Sequence, residues 1–371
     1  MNLKYIDSLR GLAIFGVILV HTSQFGASIY THGDIIYPWY LNNLFEHGAR
    51  GVQLFYVVSA FTLFLSYNSK LIDSSFNTRN FLIRRFFRIA PLYYIGILFF
   101  GFIEPFILTN RVNFNFGSVV FNLFFLNSFF PVKTIVPGGW TICVELLFYI
   151  LLPLLFKTIN STKKALSFTL LALILSIFYN ILFFKIFNYN ISNKYYMFAS
   201  FPNQLPLFGF GILAYFLLIK KDYNISKIQL VIIFIFSFLQ LALEHFIPSH
   251  ILFGITFILL LFIGHNSKLF DYKPMMFLGR ISFSAYFTHF AVLSILNKYK
   301  LVDYFDVISI ENSFFNFTVR LFVVLFITVL ISTLLFYYVE IPFINLGSKA
   351  IKKTGIKFKI KKSESISHFI F

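Results

Sequence analysis

Gly117-Ser118-Val119-Val120-Phe121-Asn122-Leu123-Phe124-Phe125-Leu126-Asn127-Ser128-Phe129-Phe130 is the apolar run on which the topology of this chain turns. Built as an α-helix it would be about 21 Å long, short of the ~30 Å hydrocarbon layer of a bilayer. Asn115 precedes it, and Pro131, Pro137, Gly138 and Gly139 follow. Longer apolar runs lie on both sides, at 11–29, 51–68, 89–108, 140–156, 165–184, 203–219, 228–244, 250–264, 281–297 and 319–343. Each reads as a transmembrane helix, because hydrocarbon leaves no unsatisfied backbone unpunished. Charge decides whether 117–130 is an eleventh. If it turns back without crossing and the N-terminus is cytoplasmic, about three in four of the 31 Lys and Arg share the cytoplasmic side. If it crosses, Lys163, Lys164, Lys220, Lys221 and the basic run from Lys349 to Lys362 face outward, against the positive-inside rule. The expected fold is therefore all-α and integral to the membrane: about ten transmembrane helices plus one re-entrant segment, both termini cytoplasmic.

Composition leads to the same class. Of 371 residues 58% are hydrophobic and 12% charged, with mean hydropathy +0.80, whereas soluble domains carry about 45–50% apolar and about 25% charged residues. No water-soluble fold of this size hides that much hydrocarbon. A net charge of +17 would suggest nucleic acid in a soluble protein; here it marks the cytoplasmic face, and no nucleic-acid partner is expected. The single Cys143 excludes an intrachain disulfide framework. Residues 1–348 read as one membrane domain, and 349–371 as a short basic cytoplasmic tail that sets topology and rests on anionic membrane lipid. The first apolar run begins with Asp7 and Arg10 and offers no small-residue cleavage site, so it is expected to stay as a helix.

Ionisable residues inside such spans are expensive and mark function. Arg10 and His21 are eleven residues apart, which returns them to within roughly 20° of one helix face, with Asp7 on the same stripe. Trp140-Thr141-Ile142-Cys143-Val144-Glu145-Leu146-Leu147-Phe148-Tyr149 places Glu145 one turn from both Thr141 and Tyr149, and its carboxylate calls for a His or Arg partner from the first helix. A structural ion pair is the plainer reading of both stretches. Arg84, Arg85 and Arg88 stand at the mouth of the third span, either as a topology signal or as a phosphate-binding cluster. Ser282, Tyr286 and His289 share a helical face, where interhelical hydrogen bonding is the alternative to chemistry. Glu340, before Pro342, reads as structural, and nothing around His245 and His250 has metal-ligand spacing, so no metal is expected.

Taken in order, these segments resemble the bacterial acyltransferase-3 family of membrane O-acyltransferases. The resemblance is carried by Arg10 and His21, by Gly51-Val52-Gln53-Leu54-Phe55-Tyr56-Val57-Val58-Ser59-Ala60-Phe61, and by Arg85 and Arg88 with Pro91 and Tyr93. The Trp140–Tyr149 stretch and Ser284-Ala285-Tyr286 with His289 complete it. Ala60 replaces the family's usual Gly, and Phe283 and Ala285 depart from its Ser-Tyr pattern. The resemblance implies an acyl-CoA, acetyl-CoA above all, as cytoplasmic donor, with no permanently bound cofactor. It implies as acceptor a hydroxyl of a surface saccharide or lipid-linked glycan, and a place in the bacterial inner membrane. His21 would serve as general base or acyl-carrying nucleophile, Glu145 would orient it, and Arg10 would hold a phosphate, the thioester or an oxyanion. Arg84, Arg85, Arg88 and Tyr93 would grip CoA. The family's stand-alone form, without an appended esterase-like domain, is expected. A proton- or solute-coupled transporter is the competing class, since transport pathways also bury His, Glu and Arg.

Overall fold

A computed structural model describes residues 4–25, 47–72, 77–110, 116–128, 134–187, 191–220, 249–266, 268, 270–304 and 310–353. In chain order the helices are α1 (Lys4–Ser23), α2 (Gly51–Ile72), α3 (Thr78–Leu98), α4 (Glu104–Thr109), α5 (Phe116–Leu123), α6 (Trp140–Thr158), α7 (Thr162–Phe187), α8 (Ile191–Ala199) and α9 (Phe201–Tyr215). They continue with α10 (Ser249–Asn266), α11 (Lys273–Arg280), α12 (Ser282–Lys298), α13 (Ile310–Leu335) and α14 (Ile341–Lys353). Among the described residues π-helical turns occur at Phe99–Ile103, Phe216–Lys220 and Phe336–Glu340, and no strand occurs.

Six of the helical stretches among the described residues are long and apolar enough to cross a membrane. Gly51–Tyr67 and His250–His265 are shorter apolar helices. The expected span at 228–244 lies outside the described residues, and α12, with 17 residues, carries Ser282, Ser284, Thr288 and His289 along its length. The stretch through α3 and α4 differs most from expectation. It runs unbroken over Thr78–Thr109, 32 residues, so the arginines placed at the mouth of a span lie inside a helix. Asn77 starts it by accepting a hydrogen bond from the Asn80 N–H at 3.1 Å, the usual role of an N-cap side chain. At the other end of the chain, α14 runs across the boundary expected at 348/349 as far as Lys353.

Burial differs sharply between the long helices. In the apolar window of Tyr195–Lys220, 78% of the residues are buried, in that of Thr162–Ile186 only 22%. On α7 the outward face is Leu170, Ile174, Phe178 and Ile181, a surface that only lipid accepts. At the centre, α1 packs on α11, α2 and α12, while α9 packs on α7 and α2. Close backbone approach makes this possible. A Cβ added to Gly11 would sit 2.0 Å from the Met275 carbonyl oxygen, and one added to Gly279 would sit 1.8 Å from that of Asp7.

Within the run that opened the sequence reading, α5 has eight residues, about 12 Å of helix and well under half a hydrocarbon layer. Phe125, at φ 58°, turns the chain into the short 3₁₀ element Leu126–Ser128. Asn122 fastens the segment to α3. It is fully buried, its Oδ1 accepts from Tyr93 OH at 3.2 Å and from the Ile135 N–H at 3.0 Å, and its Nδ2 donates to the Ser118 carbonyl at 2.7 Å. Asn122→Ala should leave these groups unmatched at about 1–3 kcal/mol in total. The expected result is a lower unfolding temperature in detergent, with Asn122→Asp intermediate between the variant and the parent chain.

Candidate active site

The first helix divides its polar residues between two places. Near its start, Arg10 lines a partly open cavity together with Arg88 of α3, Glu145 and Tyr149 of α6, Tyr56 and Ser59 of α2, and Ser282 and Tyr286 of α12. Phe55, Ile89, Ile142 and Phe283 supply apolar wall. Glu145 Oε1 accepts from Ser59 Oγ at 2.9 Å and from Tyr149 OH at 2.5 Å. Neutral hydroxyls thus solvate the carboxylate, while Arg10 and Arg85 stand in its field. Asp7 sits among Arg10, Arg88 and Arg280. The cavity itself holds two guanidinium groups against one carboxylate, a balance that suits an anionic ligand.

Farther along α1, His21 packs against α12. Its Nδ1 lies 3.2 Å from His289 Nε2, and the two rings are 5.2 Å apart with Phe290 4.5 Å from His21 on the same side. His289 is fully buried, and its Nδ1 lies 2.9 Å from the Ala285 carbonyl. A carbonyl oxygen can only accept, so neutral His289 carries its proton on Nδ1 and accepts at Nε2. The matching donor is His21 Nδ1–H, with the lone pair of that ring on Nε2, and the His21 ring also bonds the backbone of Val17 one turn below. Tyr286 connects the two places: it stands on the cavity wall, its ring 5.9 Å from that of His289. Its OH donates to the Gly138 carbonyl at 3.2 Å. Gly138 has φ 69°, and a Cβ there would lie 2.3 Å from the Tyr286 oxygen, so both conformation and space require glycine.

The fold distributes the expected site residues among different partners. The partner of His21 is His289; of the two first-helix partners expected for Glu145, Arg10 is the one beside it, and its carboxylate accepts from Ser59 and Tyr149. A neutral imidazole needs no counter-charge, which is why no carboxylate is drawn to it. Of the arginine cluster only Arg88 lines the cavity. Arg85 stacks over the rings of Phe81 and Tyr149, 5.4 Å from each centroid, and Arg84 is half-buried away from the cavity wall. Tyr93, expected beside CoA, is fully buried between Asn122 and Phe125, 4.0 Å from Cys143 Sγ. Trp140 packs edge-on against Phe198 at 5.5 Å, and its carbonyl accepts from Ser128 Oγ at 3.2 Å, next to the wall residue Thr141. His250 bonds the Asn203 carbonyl at 3.3 Å, His245 lies outside the described residues, and no cluster of three His, Cys, Asp or Glu among the described residues could hold a metal.

Compared with known proteins, residues 3–337 match the family described as an acyltransferase domain. The chain belongs to the acyltransferase-3 family. It is 24% identical to a protein of Staphylococcus aureus (strain MRSA252) named "Putative O-acetyltransferase", over 98% of this chain and 60% of the relative. A relative of the same name from strain COL is also 24% identical, over 94% of this chain and 59% of the other. A protein of Acidianus two-tailed virus named "Putative acetyltransferase" is 25% identical over 68% of this chain and 76% of its own length. The chain spans about 60% of the length of its staphylococcal relatives. No solved structure matches it.

In this acyltransferase-3 member Tyr56 and Ser59 stand out in the sequence only as part of the stretch 51–61 that carries the family resemblance. Ser59 and Tyr56 sit in an apolar helix where a small or aromatic residue is ordinary packing, and only the fold shows that both face Glu145 and Thr141. Glu340 was legible as a charge in an apolar stretch, but its bond from Ser284 Oγ joins residues 56 apart. Arg320, which carries no motif, is 1% exposed, with its Nε and Nη1 both donating hydrogen bonds.

Proposed function

We propose that this acyltransferase moves an acyl group, acetyl in the first instance, from acyl-CoA on the cytoplasmic side to a hydroxyl of a surface saccharide or lipid-linked glycan. Its place would be the bacterial cytoplasmic membrane, with 117–130 re-entrant and both termini inside, as the charge distribution favours. The observation that carries this reading is the relay from the Ala285 carbonyl through His289 to His21. It leaves an unprotonated His21 Nε2 in a site built mainly of neutral groups, the state required of a general base or nucleophile towards an acyl carbonyl.

The cavity supplies the other half of the reaction. Arg10 and Arg88 offer forked donors for CoA phosphates or for the oxyanion that forms when the thioester carbonyl is attacked. Glu145, fixed by two hydroxyls, sets one negative charge in the cavity beside Arg10. Arg10 and His21 are eleven residues apart on one helix, about 16 Å, a span that an extended pantetheine arm covers. In the transfer the thioester C–S bond breaks, the acceptor oxygen forms the new ester bond, and the acceptor's proton leaves with CoA as its thiol. His21 either removes that proton or carries the acyl group in between; acid quenching of enzyme loaded with radiolabelled acetyl-CoA separates the two, because only the second leaves label on the protein.

The test of the reading is release of free CoA from acetyl-CoA by the purified protein in lipid, dependent on added surface glycan. No release with any glycan fraction would refute it. Within it, Arg88→Ala should raise the acetyl-CoA concentration needed for half-maximal rate by about 10- to 100-fold, the worth of one charge-assisted hydrogen bond. Arg84→Ala, away from the cavity, should leave donor saturation unchanged. Donor saturation unchanged in Arg88→Ala as well would return the cluster to a topology signal.

A further inference from the structure

Two charged side chains on the last long helix stay outside the chemistry above, yet both are buried: Arg320 of α13 is 1% exposed, and Glu340, which ends the π turn after α13, is 5% exposed. Glu340 also lies beyond the family match, which ends at 337. Such groups persist in an apolar interior only with specific partners, and the partners here are specific.

Arg320 Nε donates to the carbonyl of Thr22, the residue after His21, at 3.1 Å. Its Nη1 donates to the Val302 carbonyl at 2.9 Å and to Asp303 Oδ1 at 3.1 Å, in the turn that leaves α12 after Lys298. A helix C-terminus exposes carbonyls with no partner of their own, and a guanidinium there satisfies them and opposes the helix dipole. One planar fork therefore ties the end of the helix that carries His21 to the exit of the helix that carries His289.

Glu340 works at the opposite end of α12. Its Oε1 accepts from Ser284 Oγ, and its carboxylate also bonds the Ser284 backbone. Ser284 is the third residue of α12, whose preceding residue Ile281 gives no side-chain cap. A carboxylate from another helix thus meets the free N–H groups and positive end of α12. The π turn Phe336–Glu340 adds a residue to the helical turn where this happens, the kind of local insertion that re-aims a side chain.

We propose that Arg320 and Glu340 are positioning residues for the His21–His289 pair. They brace α1 and α12 at the ends that fix the axial register of the two imidazoles. A slip of one residue moves a ring by about 1.5 Å along its helix, enough to break a 3.2 Å contact. The functional part of this inference rests on the acyl-transfer reading; the bracing itself does not.

The test uses the full chain in lipid nanodiscs, with acetyl-CoA and surface glycan as substrates. Arg320→Leu and Glu340→Leu should lower kcat by about 10- to 100-fold with KM for acetyl-CoA within about threefold. Glu340→Gln, which still accepts from Ser284, should keep most of the activity. A merely structural role would lower the folded fraction and leave the specific activity of folded protein unchanged. Combination with His289→Gln separates the cases further: positioning predicts that Arg320→Leu costs little once His289 is gone, and independent, multiplying losses overturn the proposal. Spin labels on Gln24→Cys and Tyr299→Cys, at exposed positions beyond the two helix ends, should report a distance distribution that shifts or broadens in Arg320→Leu. If the parent protein releases no CoA at all, the acyl-transfer reading fails, and this distance measurement alone decides the bracing. An unchanged distribution sinks it.

Discussion

His21→Ala is expected to reduce acyl transfer by about a thousandfold or more, the upper range of a general base or nucleophile removed outright. The protein should still insert and fold. The ring's packing partners, His289 and Phe290, stay in place on α12, and the vacated His289 Nε2 adds only the cost of one unmatched acceptor, about 1–3 kcal/mol. The measurement is glycan-dependent CoA release per folded protein, with elution on gel filtration as the control for folding. His289→Gln should lose less, about 10- to 100-fold, because a group that holds another in its tautomer and orientation acts at one remove. Parental activity in His21→Ala would end the assignment of chemistry to this helix. Equal losses in the two variants would mean that His289 also touches the reacting atoms.

Much of this architecture could be read from residue order, and the part that could not has a common physical cause. Apolar length and charge bias disclose where helices run, because the bilayer imposes both locally. They misplace the start of α3 by eleven residues, since hydropathy falls at Arg84, Arg85 and Arg88 while the helix continues down to Thr78. Asn77, followed by Thr78-Arg79-Asn80, was the better signal there, because its side chain caps the Asn80 N–H. What residue order does not contain is the register between helices. Matched along the chain, Glu145 calls for a His or an Arg of the first helix, and Arg10 does share its cavity. In the fold Glu145 is satisfied by Ser59 and Tyr149, and His21 finds a second imidazole 268 residues away. The motif that carries Tyr286 and His289 reads as one helical face, which the structure keeps, but its outcome is a split. Tyr286 serves the cavity and His289 serves His21. For Tyr93, proximity to the arginines in sequence says nothing about which side of α3 a ring takes, and Tyr93 holds α5 through Asn122.

Register returns in the substitution with the largest structural effect. Gly279→Ala would place a methyl 1.8 Å from the Asp7 carbonyl oxygen and 3.0 Å from the Gly11 nitrogen. Both obstacles are backbone, so no rotamer change relieves the clash. α11 must withdraw from α1 by roughly 1.5 Å to restore ordinary contact. Overpacking of this kind costs about 1–3 kcal/mol in stability, but the functional cost is larger. α11 leads through Ile281 into α12, so the displacement reaches Ser282, Tyr286 and His289 on one side of the seam and leaves Arg10 and His21 on the other. A mismatch near 1 Å between reacting groups lowers rates by about a hundredfold. Gly279→Ala is accordingly expected to keep a folded, less stable protein with about a hundredth of parental activity, and Gly279→Val to yield no folded protein. Gly101→Ala is the control: its Cβ would meet only the Ile135 side chain at 3.2 Å, which can give way, and activity should stay near the parental value. If Gly279→Ala matches that control in both stability and rate, the close passage of α11 over α1 does not set the geometry of the site.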